Sequence, residues 1–428
     1  MKNKVITSVL SASLALMLSI NASASVLGTT KINGYSVEVG QGTVATHNVW
    51  YSDQSGVGQQ TENYVTYTPN SGTEPIITSG GYVYGTSTIT TEVSRLKGYG
   101  TVPVAGANAD FFSFQTGVPM SNVITNGEIL AKDESNQYAI GYLNDNTAFM
   151  SKMTLYTTLK RADGSLFRIH NVNKYRQPYS IYLFTDKFSK QTHNNTNGYD
   201  VILNNVNGSL KIGTQLTATV ESVTEYNGSI ALPAGKLVIS VDAKAPAEYV
   251  NAVKSLQPGE QITISTGAEG DARWKDAKLA IGATGGMLVQ DGVVNTSLPA
   301  GASPRTALGI KSDGSTILYT IDGRQKGYSY GVQLKTLASR MVELGCTDAI
   351  NLDGGGSTSF VLQFPGESTA TLTNKPSEGS LRSVSNFIFF RNNLAKTGVA
   401  GHLTIYPLNS YVLTGASTQL SVKASDSG

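Results

Sequence analysis

Short apolar runs separated by turn-forming residues recur along most of this chain. Val123-Ile124-Thr125 and Glu128-Ile129-Leu130 flank the dipeptide Asn126-Gly127, which favours a two-residue hairpin turn. Similar flanking runs surround Asp291-Gly292 and Asp313-Gly314. Strands joined by such short turns pair antiparallel. The pattern therefore predicts a fold dominated by antiparallel strands.

Helical periodicity is confined to a few segments. The strongest one spans residues 330–344, with Ser329 as the expected N-cap. It presents one apolar stripe at helical spacing, formed by Leu334, Leu337, Ala338, Met341 and Val342. Two shorter helices are predicted over residues 88–96 and 247–256. Together these elements predict an α+β fold class, β-rich, with mostly antiparallel strands and a few helices.

The N-terminus has the organisation of a secretory signal peptide. Lys2 and Lys4 precede the largely apolar run Val5–Ile20, and Ala22-Ser23-Ala24 supplies small residues at a cleavage site. We therefore predict a signal peptide over residues 1–24 and a secreted, extracellular protein. No later stretch is long and apolar enough to predict a membrane span.

Changes in texture along the chain predict its domain organisation. An N-terminal segment covers residues 25–61, and the main domain covers residues 62–391. Within it, residues 142–271 are strand-rich but poor in motifs, and they are interpreted as an inserted β-rich subdomain. Residues 401–428 alternate apolar and polar positions, as the first strands of an immunoglobulin-like β-sandwich do. That sandwich would be incomplete here, so the chain is expected to be a fragment of a longer protein.

Charge and cysteine content narrow the class of protein. Without the two lysines of the predicted signal peptide, 30 basic residues balance 30 acidic ones, which argues against nucleic acid as a partner. The single Cys346 excludes an internal disulfide framework. The four histidines are far apart and lack zinc-ligand spacing. No cofactor fingerprint is present, so no cofactor is expected, and the metal requirement stays open.

The segment Ala349–Phe360 reads AINLDGGGSTSF, with Asp353 before three consecutive glycines and Ser357 after them. Three adjacent glycines predict backbone that approaches another group closely or adopts positive φ. Successive N–H groups in such a bend are able to bind an anion. A glycine-rich hairpin is the simpler interpretation of the same residues.

Polar side chains stand at the ends of four further predicted strands. Taken alone, each pair is explained by a structural role in a turn or a cap, or by an ordinary surface arginine. The pairs are Asn108 and Asp110, Arg305 and Thr306, Asp322 and Arg324, and Arg382 and Asn386. Arginine binds phosphate through two parallel hydrogen bonds, and a nearby carboxylate suits a sugar hydroxyl, a water nucleophile or an oxocarbenium ion. Taken together, the segments indicate a substrate with both a phosphate and a sugar.

This ordered set of motifs resembles the phosphodiester glycosidase family over about residues 62–391. The resemblance rests on NADFF at 108–112, GGML at 285–288, PRTA at 304–307, DGR at 322–324, NLDGGGS at 351–357 and RSVSN at 382–386. It implies an α+β catalytic domain that cleaves a sugar–phosphate glycosidic bond, such as one between N-acetylglucosamine and a phosphodiester.

Roles for these residues follow as hypotheses. A phosphodiester leaves readily, so the enzyme would need cationic capture of phosphate more than a general acid. Arg305, Arg324 and the N–H groups of Gly354, Gly355 and Gly356 are expected to capture it. Asp353 is the first candidate for base or nucleophile, with Asp322 and Asp110 as the other candidates. The remaining expected substrate-binding residues are Asn108, Thr306, Ser357, Asn386 and Arg382, the last of which is equally interpreted as a brace.

Two alternatives remain open from the sequence. One is a non-catalytic protein that binds a cell wall or polysaccharide, since a secretion signal and a trailing sandwich fit that role equally well. The other is a phosphodiesterase that releases sugar 1-phosphate. The expected partner in each case is a phosphorylated glycan or a cell-wall polymer.

Overall fold

The computed structural model describes residues 24–53, 58–426 and 428. The predicted signal peptide, apart from Ala24, lies outside the described residues. No helix in these ranges is long and apolar enough to cross a membrane.

Strands make up most of the regular structure. They are β1 Thr30–Gly40, β2 Thr43–Ser52, β3 Gly58–Tyr67, β4 Thr73–Thr78, β5 Val102–Asn108, β6 Val123–Thr125, β7 Glu128–Ala131, β8 Gln137–Tyr142, β9 Ala148–Arg161, β10 Leu166–Ile169, β11 Asn171–Val172, β12 Ile181–Thr185, β13 Asn197–Asn207, β14 Gln215–Asn227, β15 Leu237–Asp242, β16 Gln261–Gly270, β17 Leu279–Gly282, β18 Met287–Gln290, β19 Val293–Val294, β20 Arg305–Lys311, β21 Thr316–Ile321, β22 Cys346–Asn351, β23 Phe360–Leu362, β24 Thr371–Leu372, β25 Phe387–Asn392, β26 His402–Tyr406 and β27 Ser421–Ser425. The α-helices are α1 Ile89–Gly98, α2 Ala247–Lys254 and α3 Leu334–Glu343, and short 3-10 turns cover Ala272–Asp276 and Gly355–Ser357.

The predicted β-rich α+β fold class is confirmed. An eight-stranded sheet has the order β1-β2-β3-β21-β20-β22-β18-β19, and a five-stranded sheet has the order β24-β23-β5-β25-β4. Their strands pair antiparallel throughout. A largely buried cluster of apolar side chains lies between the sheets, and α1 and α3 cover further clusters.

The predicted hairpin turns are present. Asn126 and Gly127 have φ of 51° and 74°, and Asp291 and Gly292 have φ of 50° and 77°. A type I′ turn requires positive φ at both of its central residues. The strongest predicted helix is present but shorter, because it begins at Leu334 with Gln333 as its N-cap. The prediction that Ser329 is the N-cap of this helix is wrong. Its hydroxyl instead holds a loop, which is described below.

A twelve-stranded sheet contains the middle region of the chain. Strands β9–β16, from residues 142–271, continue through β8 and β17 into β6 and β7. Many side chains of this sheet form a second buried apolar cluster. The division of this region into an inserted subdomain stays a prediction. At the C-terminus, β26 and β27 pair antiparallel as a two-stranded sheet, and their membership of a β-sandwich also stays a prediction.

Strand ends from the eight-stranded and five-stranded sheets meet at one place. Arg305 at the start of β20 pairs with Ile321 at the end of β21, and β20 also pairs with β22, which ends at Asn351. In the other sheet, Asn108 at the end of β5 pairs with Phe387 at the start of β25. The polar motifs of the sequence lie at these strand ends or directly beside them. The register within each sheet therefore places the motifs close to one another.

A buried ion pair ties α3 to the eight-stranded sheet. The Glu62 carboxylate on β3 accepts hydrogen bonds from Arg340 Nη2 at 2.7 Å and Arg340 Nε at 3.0 Å. Asn48 Nδ2 and Trp50 Nε1 donate to the same group at 2.7 and 3.0 Å. Burial opposes ionisation, but the Arg340 guanidinium and these donors hold the pKa of Glu62 below its ordinary value.

Replacing Glu62 by Gln keeps the size of the side chain but removes the buried carboxylate of the pair and leaves Arg340 with the partly exposed Glu343 as its ion-pair partner. Breaking a buried pair is strongly destabilising, so the free energy of unfolding at pH 7 should fall by up to about 3–5 kcal/mol. Urea unfolding measures this. The control is Glu221→Gln, which breaks an exposed pair with Lys236 and should cost far less. Equal losses in the two variants would contradict the assignment.

Candidate active site

The three glycines of Gly354–Gly356 form a bend into which other groups come unusually close. A Cβ atom on the first glycine would lie 2.7 Å from the Pro304 carbonyl oxygen. On the second, whose φ is 63°, it would lie 3.3 Å from Arg324 Nη1, and on the third 2.3 Å from Arg382 Nη2. The glycine run therefore admits two guanidinium groups and a carbonyl that side chains would exclude.

The N–H groups of the first two glycines already have partners. Gly355 N donates to the Pro304 carbonyl oxygen at 2.9 Å, and the Gly354 N–H supports the ionised carboxylate of Asp353. Both glycines also contribute the absence of a side chain to the bend. The phosphate contacts expected of Gly354, Gly355 and Gly356 stay predictions.

Arg305 and Arg324 lie near each other with hydrogen bonds only to neutral oxygens. Arg305 Nε donates to Val332 O at 3.1 Å and Nη2 donates to Gly301 O at 2.6 Å, while Arg324 Nη2 donates to Ser303 Oγ at 3.2 Å. Burial and the neighbouring Arg324 charge lower the pKa of Arg305. Within the described ranges, neither guanidinium has an ion-pair partner. Two close cations without a carboxylate are suited to bind an anion.

Asp353 lies beside Arg382, at the same bend. Arg382 Nη1 donates to Ser357 Oγ at 3.3 Å, and the guanidinium also pairs with Glu378. Burial raises the pKa of Asp353, while the Ser357 hydroxyl and the Arg382 charge oppose the rise. No arginine is among the main causes of the pKa shifts of the other two candidate carboxylates, whereas Arg382 is one for Asp353. We define the arginine site as Arg305, Arg324, Arg382 and Gly354–Gly356, the bend that follows Asp353.

Asn108 and Thr306 join the two sheets beneath this bend. Asn108 Nδ2 donates to the Asp353 carbonyl oxygen at 2.6 Å, and Asn108 Oδ1 accepts from Thr306 Oγ1 at 2.9 Å and Ser359 N at 3.1 Å. Asn108 is 1% exposed and Thr306 is 0% exposed. Their polar atoms are bonded to the protein, and Asn108 fixes the backbone of Asp353. Contacts of Asn108 and Thr306 with the substrate stay predictions.

Asp110 and Asn386 form a second buried link. The Asp110 carboxylate accepts from Thr284 Oγ1 at 2.7 Å and from Thr284 N at 3.3 Å, while Asp110 N donates to Asn386 Oδ1 at 2.7 Å. Both residues are buried. A catalytic role for Asp110 and a substrate contact for Asn386 stay predictions, and the geometry gives both a bracing function. Asn386 Nδ2 has no hydrogen-bond partner in the described part of the chain.

Asp322 braces the loop that carries Arg324. Its carboxylate accepts from Tyr328 OH at 2.8 Å, Asn374 Nδ2 at 2.9 Å and Lys375 N at 3.0 Å. Its carbonyl oxygen accepts from the hydroxyl of Ser329 at 2.7 Å. Burial raises the pKa of Asp322. With its oxygens occupied, Asp322 holds the loop in place, and its catalytic role stays a prediction.

Several residues of the site were not predicted from the sequence. Thr284 donates a hydrogen bond to Asp110, and Glu378 pairs with Arg382. Phe114 packs against Arg382, with the guanidinium 5.4 Å from the ring centroid. The four-residue spacing of Glu378 and Arg382 was the one available signal. No cluster of three His, Cys, Asp or Glu side chains suited to a metal was found among the described residues.

A broad concavity lies elsewhere in the described part of the chain. It is bounded by the start of β5 at Val102, residues 363–370 and the C-terminal strands β26 and β27, and its volume is about 1230 Å³. Asn108 marks the opposite end of β5. This concavity is therefore separate from the arginine site.

The fold and the site define a β-rich α+β protein with a cationic site around a buried aspartate. Residues 216–391 match the sequence model of the phosphodiester glycosidase family, and the resemblance seen in the motifs is confirmed. The matched stretch contains Arg305, Asp322, the triple glycine and Arg382, but not Asn108 or Asp110.

Individual relatives match over short stretches. The human N-acetylglucosamine-1-phosphodiester alpha-N-acetylglucosaminidase is 37% identical over 76 residues, covering 18% of this chain and 13% of that protein. The SPbeta prophage-derived uncharacterized protein YomE of Bacillus subtilis is 38% identical over 60 residues, covering 14% of this chain and 9% of that protein. The chain thus spans a small part of either relative's length.

A solved structure supports the fold over a longer span. The crystal structure of a hypothetical protein from Synechocystis has a TM-score of 0.67 at 18% identity, and the match covers 84% of this chain and 64% of that chain. At this identity the likeness concerns the fold alone.

The buried Asp110 carboxyl should make the stability of the fold depend on pH. Burial raises its pKa from 3.8 to about 6, so between these values the folded protein keeps a proton that the unfolded chain has released. The free energy of unfolding should therefore fall by about 3 kcal/mol as the pH rises through this window. Asp110→Asn removes this term.

Urea unfolding of the parent and of Asp110→Asn at pH 4 and pH 7 tests this. We expect the stability difference between the two proteins to shift in favour of the variant by about that amount at the higher pH. A difference that does not change with pH would contradict it.

Proposed function

We propose that the protein is a secreted glycosidase that hydrolyses a sugar-1-phosphodiester bond in a cell-wall or extracellular glycan. The bond would resemble that between N-acetylglucosamine and a phosphodiester. The observation that carries the proposal is the pair Arg305 and Arg324, which has no carboxylate partner among the described residues. The Arg324 guanidinium and the Arg305 backbone border the triple-glycine bend that follows Asp353.

The arginine pair is suited to bind the phosphodiester. Two guanidinium groups that already repel each other gain from an anion placed between them, since each presents planar N–H donors to phosphate oxygens. Charge develops on the phosphate as the glycosidic bond breaks, and preorganised cations stabilise that charge. The leaving group then needs little proton donation.

Asp353 is suited to act on the sugar side. Its backbone is fixed by hydrogen bonds at both ends, from Asn108 Nδ2 to its carbonyl oxygen and from its own N–H to Ala109 O at 2.9 Å. Ionised, its carboxylate would face the anomeric carbon, as nucleophile or as base for a water molecule. The Arg382 charge and the Ser357 hydroxyl favour the ionised form of Asp353 and so oppose the rise in its pKa that burial causes.

The products of hydrolysis test the proposal. The substrate is N-acetyl-α-glucosamine 1-(methyl phosphate), chosen from the name of the human relative. We expect the parent protein to release free N-acetylglucosamine and methyl phosphate. Asp353→Asn should lower kcat by about 10²–10⁴-fold, and Arg324→Ala should lower kcat/KM by about 100-fold.

The control is Arg273→Ala, which removes an exposed arginine paired with Asp271 and should change activity less than about twofold. Release of sugar 1-phosphate would instead assign a phosphodiesterase. Retention of substrate without any product would favour a binding protein. Full activity in a folded Asp353→Asn variant would remove Asp353 from the reaction.

A further inference from the structure

Phe114 is an exposed aromatic side chain beside the arginine site. It is 75% exposed, and the Arg382 guanidinium lies over its ring at 5.4 Å from the centroid. The same guanidinium donates to Ser357 Oγ at 3.3 Å. Arg382 contacts the third glycine of the bend, whereas Arg324 contacts the second. The ring therefore extends the part of the site that belongs to Arg382.

The loop that carries Phe114 is held by its own hydrogen bonds. Ser113 N donates to Val118 O at 3.0 Å, and Gly117 N donates to Ser113 O at 2.7 Å. At its base, the Phe112 ring is 5% exposed and lies 5.1 Å from the Phe114 ring, centroid to centroid. Phe114 is thus presented to solvent from a closed turn.

The middle region of the chain braces this loop from two sides. On one side, the N–H groups of residues 83 and 84 donate to the carbonyl oxygens of residues 187 and 188. The next residue, Gly85, donates from its N–H to Thr116 O in the loop at 2.8 Å. On the other side, the buried Lys174 ammonium donates to three successive carbonyl oxygens at 2.7, 3.1 and 2.9 Å, those of Pro119, Met120 and Ser121. Burying a lysine charge is costly unless its donors are satisfied, so these contacts give the loop a defined position.

A large aromatic group that is held in place yet left in solvent contributes little to folding. It does offer a wide apolar face to a ligand. Because the side chain is already held in place, little conformational entropy is lost when a ligand binds, as in other aromatic recognition surfaces. Pyranose rings present a face of C–H groups that packs on aromatic rings. The neighbouring Arg382 and Ser357 would supply polar contacts to hydroxyl groups at the edge of such a ring.

We propose that Phe114 is the platform on which the sugar ring of the substrate stacks. The inference rests on the proposed function and gives the site a direction. The phosphate lies on Arg305 and Arg324, the sugar lies on Phe114 beside Arg382, and the anomeric carbon between them faces Asp353.

Separate binding measurements for the two halves of the substrate test this. The probes are N-acetylglucosamine, which has no phosphate, and methyl phosphate, which has no sugar, each titrated by NMR. We expect Phe114→Ala to weaken binding of N-acetylglucosamine about tenfold and to change the methyl phosphate affinity less than twofold. Phe114→Trp should keep both affinities, and Arg324→Ala should lose methyl phosphate while keeping the sugar.

Tyr99→Ala is the matched control. Tyr99 is 77% exposed and also carries a stacked arginine, Arg95, at 5.7 Å. It lies before the start of β5, about 20 Å of strand away from the end that reaches the arginine site. Both affinities should be unchanged in this variant. Since both rings are exposed, thermal unfolding should confirm that either variant is folded.

The outcomes separate the two proposals. Parent protein that binds no methyl phosphate overturns the phosphate site, and with it the proposed function. If methyl phosphate binds but N-acetylglucosamine does not, or binds Phe114→Ala as well as the parent, the platform is overturned while the phosphate site stands. Equal losses of both probes in Phe114→Ala would assign the ring to holding Arg382 alone, which also overturns the platform.

Discussion

The absence of side chains at Gly354–Gly356 is the constraint on which the site depends. A Cβ atom on the third glycine would stand 2.3 Å from both the Arg382 guanidinium and the Glu378 carboxylate, and one on the first would collide with the Pro304 carbonyl. Such contacts are far inside van der Waals distance. The bend therefore leaves room for charged groups from two loops and for the Pro304 carbonyl next to one aspartate.

Everything beneath the bend serves to hold it in register. Asn108 bonds the Asp353 carbonyl, a threonine on β20 and the backbone before β23, so one buried amide connects both sheets. Asp322 and Asp110 fix the neighbouring loops in the same way. Buried polar groups are costly unless satisfied, and these networks satisfy most of them. Burying so many polar groups is consistent with a site in which the position of these loops matters.

The sequence was informative where local chemistry determines structure. Asn-Gly and Asp-Gly turns predicted hairpins because those residues adopt positive φ at low cost, and the order of the motifs indicated the resemblance to the phosphodiester glycosidase family. It gave no information where a residue's partner is distant in the chain. Asn108 and Asp322 accept hydrogen bonds from residues 198 and 52 positions away, and no local pattern indicates such a partner. Phe114 gave no signal, since exposure beside Arg382 depends on tertiary packing.

The central claim is that water attacks the sugar carbon while the arginines retain the phosphate with its bridging oxygen. Hydrolysis in ¹⁸O-labelled water tests it directly, because oxygens on the released phosphomonoester do not exchange with solvent. Mass spectrometry of methyl phosphate should find no label, with the ¹⁸O in the fresh hydroxyl of the sugar. Label in a released phosphate product would mean that the P–O bond is cut, and would contradict the assignment of Asp353 to the anomeric carbon.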